Sequence, residues 1–523
     1  MFISKYSTDF LRRLQNLIVI GEVEMLFNSV EFLVFFPIVF IMYFSLSSKV
    51  RYIWLLAASY FFYMCWNPKY MILIFLSTAI TFGSGVIMEA VREKNGDLVQ
   101  KNFWLCSCLV VSCIFNLLVL FYFKYFEFAI RNINRVIGMG GGEKFRFLWH
   151  QIILPVGISF YTFQALGYAI DVYRGDIKAE KNFFRYALFV SFFPQLVAGP
   201  IERSENLLNQ MKNTTYFKVE NVRQGLLTMA YGLFLKVVVA DRLASIINPI
   251  YNGWEDQRGM HLMVATVLFS FQIYCDFEGY SQIAIGSAKV LGFHINKNFR
   301  APYLCTSIRG FWKKWHISLT SWFRDYLYIP LGGNRKGRMK KYLNTMIVFL
   351  CSGLWHGASW HFVAWGGLNG LYNVVQDAGQ NNFNKICSFF KIDTKAFLWK
   401  CLCGICTFFL INISWVFFRA AGMRQSCSIL KKIWADFNLW YLFSGGFYEL
   451  FGSSKELVIT ILSLSIVVFV DILKNQGFDI KSYILRQQIF YRWLFYLAII
   501  FTVVMWGGYG SGYEQTQFIY FQF

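Results

Sequence analysis

The sequence predicts an all-α, polytopic integral membrane protein with about 10–13 membrane-embedded helices, some of them re-entrant or interfacial. Three observations carry that prediction. The 523 residues are 56% hydrophobic and only 15% charged, whereas a soluble protein carries roughly 25% charged residues. Apolar stretches of about 20 residues, each able to cross a hydrocarbon core of roughly 30 Å, recur from near the N-terminus to the end. The cations, which give a net charge of +21, sit mostly in the short connections between those stretches, where they orient helices and meet anionic headgroups. Disordered, collagen-like and disulfide-stapled classes are excluded, as is an outer-membrane barrel with its alternating strands. The basic excess is a membrane signal and gives no support to nucleic-acid binding.

Residues 1–24 mix Lys5, Asp9, Arg12, Arg13, Glu22 and Glu24 with short apolar pieces. With no uninterrupted apolar core and no small-residue cleavage site, they do not read as a removable signal peptide. They are expected to be a cytosolic extension or an over-called start, and 25–523 a single transmembrane domain. Apolar segments then fall near 31–46, 52–66, 70–90, 103–130, 152–173, 184–199, 225–244, 260–275, 279–293, 345–376, 397–419, 456–473 and 491–508. No repeat or two-half symmetry is visible, which weakens a transporter reading. The cluster from Asn334 to Lys341 holds five basic residues and no acid, so it is placed in the cytosol. From Asn344 to His356 is twelve residues, about 18 Å of helix, which sets His356 deep in the bilayer.

Ionisable groups inside such segments cost roughly 2.5–3.5 kcal/mol each and face a protein interior or a wet cavity. Gln164, Tyr168 and Asp171 form a polar stripe, with Asp171 near enough to a helix end to be a solvated terminal carboxylate. Asp276 and Glu278 interrupt SFQIYCDFEGYSQIAIG, where Gln272, Asp276 and Tyr280 share a face; two helices joined at a broken, polar midpoint fit that pattern, with Asp276 in structural hydrogen bonding or in substrate contact. The segment RGFWKKWHISLTSWFRDYLYIPLGGNRKG is too charged to span and too aromatic for a loop. It is expected to form short interfacial or re-entrant helices, with Trp312, Trp315, Trp322, Tyr326 and Tyr328 half wet. It carries His316 beside Ser318, and Lys314, Arg324 and Asp325 nearby.

His356 lies in SGLWHGASWHFVAWGGLNG after Trp355, flanked by Gly353 and Gly357, which let another backbone or a substrate approach. On one continuous helix its neighbours are Ser352 and Ser359, able to fix its tautomer. Burial keeps the ring neutral and able to accept a proton. His361 then falls on another face and reads as a packing or pore residue. His150, His261 and His294 carry no special argument. The triplet Cys401, Cys403 and Cys406 lies in apolar helix without a nearby His or carboxylate, so no metal is expected. No disulfide framework is implied, and P-loop, GxSxG and HExxH motifs are missing.

The motifs resemble the membrane-bound O-acyltransferase (MBOAT) family, and within it the bacterial branch of alginate and peptidoglycan O-acetyltransferases and the D-alanyl transferase of teichoic acid. The resemblance runs through MLFNSVEFLVFFPIVF, LPVGISFYTFQALGYAIDVYRG, FFPQLVAGPIER, YCDFEGYSQIAIGSAKVLGF, FWKKWHISLTSWFRDYLYIPLGGNRKG and LWHGASWHFVAWG to the terminal FIYFQF. AGPIER and PLGGNRKG look like the alginate subgroup. The resemblance implies His356 as the essential catalytic residue and His316 as its partner. It also implies a cytosolic acyl thioester donor, acetyl-CoA or an acyl carrier, and no tightly bound cofactor. The acceptor it implies is an envelope polysaccharide, reached directly or through an extracytoplasmic acyltransferase or esterase-like partner, from a multi-pass protein of the bacterial plasma membrane. Asn369 in WGGLNG is a departure, since many members carry a further histidine there. Arg324 or Lys314 could hold donor phosphates. Transfer of D-alanine on the same fold, or a transporter or polysaccharide-export component with His356 as proton relay, are the competing readings.

Overall fold

A computed structural model describes residues 25–95, 103–139, 154–508 and 518–519. The expected N-terminal extension and His150 lie outside the described residues. All regular structure among the described residues is helical. Among the described residues six helices are long and apolar enough to cross a membrane: Pro68–Lys94, Phe103–Met139, Gly259–Val290, Phe397–Arg419, Ser454–Asn475 and Ile489–Trp506. The larger number expected from sequence includes shorter helices such as Val30–Ser45. Large side chains along Ile489–Trp506 point outward, among them Phe490, Trp493, Leu497 and Phe501, as hydrocarbon allows and water does not.

The chain divides into two compact units, Met1–Met229 with Gln282–Asn296, and Ala230–Ser281 with Lys297–Phe523. In the first, helix α1 (Val30–Ser45) is started by Ser29, whose hydroxyl accepts from the Phe32 amide at 3.2 Å. It is followed by α2 (Arg51–Met64), α3 (Met71–Asn95), α4 (Phe103–Met139, with a π turn at Phe121–Tyr125), α5 (Ile158–Arg174), α6 (Phe183–Ser191) and α7 (Ser204–Lys212). Helices α3, α4 and α5 pack on one another and α2 packs on α6. The contact is close enough at Gly85 that a Cβ there would lie 2.8 Å from the Tyr168 hydroxyl. The polar stripe on α5 is used in packing. Gln164 Nε2 donates to the Phe189 carbonyl at 2.7 Å and Tyr168 Oη accepts from the Glu180 amide at 3.0 Å. Asp171, half-buried one turn before the helix end, accepts from Ser204 Oγ at 3.4 Å.

The second unit contains α9 (Asp241–Asn252), preceded by a π segment Phe234–Ala240 that continues α8 (Val219–Leu233). Helix α10 (Gly259–Val290) runs 32 residues without interruption. The broken midpoint expected at Asp276 and Glu278 is therefore absent: Asp276 is held by charge partners inside the protein and the backbone has no need to open. After short α11 (Ile308–Trp312) and α12 (Ile317–Phe323) come α13 (Gly337–His356) and α14 (Trp360–Phe389). In sequence these last two read as one apolar segment. Gly357 and Ser359 are both extended, at φ −165° and −154°, so the chain folds back and α14 lies antiparallel on α13. Glycines permit that contact. A Cβ on Gly353 would sit 2.3 Å from the Phe362 carbonyl oxygen, and one on Gly366 2.2 Å from that of Phe349. Helices α15 (Phe397–Arg419), α16 (Met423–Ala435), α17 (Ser454–Asn475) and α18 (Ile489–Trp506) complete the unit.

Candidate active site

His316 stands at the start of α12 in the left-handed region, φ 45° and ψ 53°, a conformation a non-glycine residue adopts only where surroundings enforce it. The enforcement comes from Asn298, which is fully buried. Its carbonyl accepts from the Ile317 amide at 2.8 Å and its Oδ1 from Ser318 Oγ at 2.6 Å, while its Nδ2 donates to Ser281 Oγ on α10 at 3.0 Å. The buried imidazole meets the Phe277 ring edge-on with centroids 4.6 Å apart.

His356 is the last residue of α13, placed there by the break at Gly357. Its ring centroid lies 5.0 Å from Trp355, 5.0 Å from Trp365 of α14 and 5.4 Å from Phe418 of α15. The two imidazole centroids are 6.4 Å apart, and Trp355 also lies 6.0 Å from His316. A direct N–H···N bond of roughly 2.7–3.2 Å between the rings would need them closer; the separation leaves room for one small group to touch both. Both histidines are buried, and aromatic rings from α10, α13, α14 and α15 enclose them. Close by, the indole nitrogens of Trp312, Trp365 and Trp415 are buried donors with no acceptor among the described residues.

The other sequence candidates are distributed differently. Asp276 is buried, with Oδ1 accepting from Lys236 Nζ at 2.7 Å and Oδ2 from the Ile519 amide at 2.8 Å. Lys236 also reaches Asp241 Oδ1 at 2.9 Å. The bond to Ile519 holds the chain beside Phe518, whose ring lies against Phe277 and Tyr280. Lys314 donates to Asn475 Oδ1 at 2.8 Å. Arg324 is exposed and bonds its neighbour Asp325 through two nitrogens, at 2.7 and 3.2 Å. Ser352 is buried on α13 one turn before His356. Ser359 is not on that helix; it precedes α14, and so the expected placement of Ser359 and His361 relative to His356 around a single helix does not hold. His361 donates from Nδ1 to the Phe417 carbonyl at 2.9 Å and packs on Phe362, a structural contact.

The expectation of half-wet tryptophans is also corrected. Trp312, Trp315 and Trp322 are all buried, and Trp315 is fully enclosed by Tyr274, Phe299, Phe311 and Trp415. Sequence reasoning missed Phe277, Asn298, Trp365, Phe418 and Lys236; only Lys236, a lone cation in the apolar run FLKVVVA, gave a signal. Among the described residues no three His, Cys, Asp or Glu side chains gather where a metal ion could be held.

A multi-pass helical protein with two imidazoles in one aromatic enclosure has the architecture of a membrane-embedded group-transfer enzyme. A sequence profile of the membrane-bound O-acyltransferase family matches residues 177–418. The chain is 35% identical over 420 residues to a probable alginate O-acetylase of Pseudomonas aeruginosa, covering 80% of this chain and 76% of that protein. A Pseudomonas putida protein of the same description is 34% identical over 86% and 89% of the two chains. A peptidoglycan O-acetyltransferase of Helicobacter pylori is 34% identical over 78% and 79%. The chain belongs to the membrane-bound O-acyltransferase family and is an acyltransferase.

Proposed function

We propose that this protein moves an acetyl group from a cytosolic thioester, acetyl-CoA or an acyl carrier, across the bacterial plasma membrane to hydroxyls of a cell-envelope polysaccharide. The names of the relatives support an O-acetyl group and a polysaccharide acceptor. The observation that carries the chemistry is the His316–His356 pair, 6.4 Å apart inside a shared aromatic enclosure. His356 takes the proton of the acceptor hydroxyl as its oxygen attacks the acyl carbon; the new C–O bond forms, the C–S bond breaks, and the proton leaves with the thiolate. His316 orients the hydroxyl or the thioester against it. A nucleophilic route, with the acyl group held briefly on His356, uses the same geometry. A buried indole N–H, that of Trp365 foremost, supplies a hydrogen bond to the acyl oxygen as it gains charge. An extracytoplasmic acyltransferase or esterase-like partner fits a reaction whose product must reach a polymer outside the membrane.

Transfer of D-alanine has weaker support: a teichoic acid D-alanyltransferase of Streptococcus thermophilus is 27% identical over only 43% of this chain. The deciding experiment measures acyl content of the envelope glycan per membrane-inserted protein. His356→Ala removes the base and lowers product at least roughly 100-fold, the lower end of what a positioned general base supplies, with abundance near normal. His316→Ala is similarly inactive, and His361→Ala keeps most activity. Wild-type acylation in the His356→Ala strain overturns the assignment.

A further inference from the structure

The first unit holds a second feature, independent of the imidazole pair and of the acyl-transfer reading. A cavity of about 380 Å³ opens where the connection from α1 to α2, the start of α6 and the chain just beyond α7 meet. Its walls carry Lys49, Arg51, Arg185 and Lys212, with the hydroxyls of Tyr52 and Thr214, and no carboxylate among the described residues.

The four cations do different things. Arg51 is engaged by the framework: Nε donates to the Leu46 carbonyl at 3.0 Å, Nη1 to that of Thr215 at 2.6 Å and Nη2 to that of Phe44 at 3.3 Å. Those bonds fix two walls of the cavity. Arg185 Nη1 and Lys212 Nζ share one carboxylate behind the wall, Glu180, at 3.2 and 3.3 Å. Arg185 Nε is nonetheless a buried donor without an acceptor among the described residues. Lys49 is exposed. One negative charge thus faces four positive ones, an imbalance at a distance short enough that salt screens it only partly. An anion in the cavity would offset that imbalance.

The side of the membrane follows from the neighbouring chain ends. Arg92 at the end of α3 donates to the Val172 and Tyr173 carbonyls at the end of α5, both at 2.9 Å, and Lys181 reaches Glu93 at 3.6 Å. The ends of α3 and α5 and the start of α6 therefore lie together, and these chain ends carry Arg92, Lys94, Arg174, Lys178, Lys181 and Arg185 along with Glu89, Glu93, Asp176 and Glu180. Positive connections of this kind are retained on the cytosolic side, where the leaflet is anionic. The volume falls in the range of small-molecule sites, roughly 300–1,000 Å³, and exceeds what a bare phosphate needs.

We propose that this cavity is a phosphate-binding site on the cytosolic face, in which Lys49, Arg185 and Lys212, held on the Arg51 framework, take the phosphodiester of an anionic lipid headgroup or the phosphate of a soluble anion. The test reconstitutes the full chain in nanodiscs of phosphatidylcholine alone or with added phosphatidylglycerol, and compares wild type with Lys49→Gln/Lys212→Gln and Lys49→Arg/Lys212→Arg. Both lysines are exposed, so the fold tolerates either pair. A lipid source appears as phosphatidylglycerol retained by wild type in native mass spectrometry, about tenfold weaker in the glutamine pair and preserved in the arginine pair. A soluble source appears as a rise in melting temperature with inorganic pyrophosphate in phosphatidylcholine discs, lost in the same glutamine pair. Equal responses in wild type and the glutamine pair, or no response of wild type to either probe, overturn the proposal.

Discussion

Replacing Lys236 by Met should destabilise the second unit more than almost any other single change. The lysine and Asp276 have side chains only 8% and 3% exposed, and the ammonium also serves Asp241. Met has nearly the volume of Lys, so the perturbation is electrostatic: two carboxylates buried around one cation lose it. Breaking a buried pair by removing one partner costs about 3–5 kcal/mol, a large share of a typical total stability of roughly 5–15 kcal/mol. Membrane-inserted abundance and the melting temperature of purified protein should both fall. The double variant Lys236→Met/Asp276→Asn should recover a good part of the loss, because only Asp241, at the more exposed edge, then lacks the ammonium. The amide oxygen that this variant carries at position 276 would still accept from the Ile519 amide, so Phe518 would stay on Phe277 and the His316 ring would keep its neighbour. An unchanged melting temperature in Lys236→Met, or a double variant less stable than the single, would refute this account of the buried network.

Topology is tested at the exposed Arg338, in the first turn of α13: in a background without reactive thiols, Arg338→Cys should resist membrane-impermeant reagents in intact cells, and efficient labelling from outside would reverse the orientation. Gly353→Val should reduce abundance severely, since even a Cβ would meet the Phe362 carbonyl, whereas Gly379→Ala, with nothing within 4 Å, should gain roughly 0.5–1 kcal/mol; equal melting temperatures for the two would contradict the helix contact. Trp365→Phe keeps a ring beside His356 and removes the N–H, so turnover should drop about 100-fold if that donor meets the acyl oxygen, with abundance unchanged. Trp415→Phe, whose ring stacks on Trp365 at 6.0 Å, should cost less. Equal loss in both would assign the effect to packing.

The class of fold was legible because the solvent writes it into composition: residues facing hydrocarbon must be apolar, and the charge that remains gathers at connections. The breaks were not legible, for two different reasons. Asp276 looked like an interruption of α10 because its stabilising cation, Lys236, lies forty residues away in sequence. A window reading sees the cost of the carboxylate and not the partner that offsets it. At Gly357 the error ran the other way. Apolar composition is the same on both sides, and a glycine inside an apolar run is compatible with a helix or a turn; the break is decided by the Gly353–Phe362 and Gly366–Phe349 approaches, which exist only once the two helices are folded together.

The same asymmetry governs the candidate site. His356 could be singled out because an imidazole in an apolar setting carries a cost that demands a reason, whereas His316, in a charged segment, was marked only by the resemblance to the family. Phe277, Trp365 and Phe418, which enclose them, could not, because in a chain that is 20% aromatic one more ring is no signal. Tryptophan is at home at a membrane interface and equally in an aromatic core, and for Trp315 the choice was made by Tyr274, Phe299, Phe311 and Trp415, drawn from four separate segments. Yet those unsignalled rings give the histidines their character. By excluding water they strengthen each electrostatic contact a reacting group makes. The chemistry is therefore readable from the residues that carry a cost, and its environment only from the packing that makes the cost bearable.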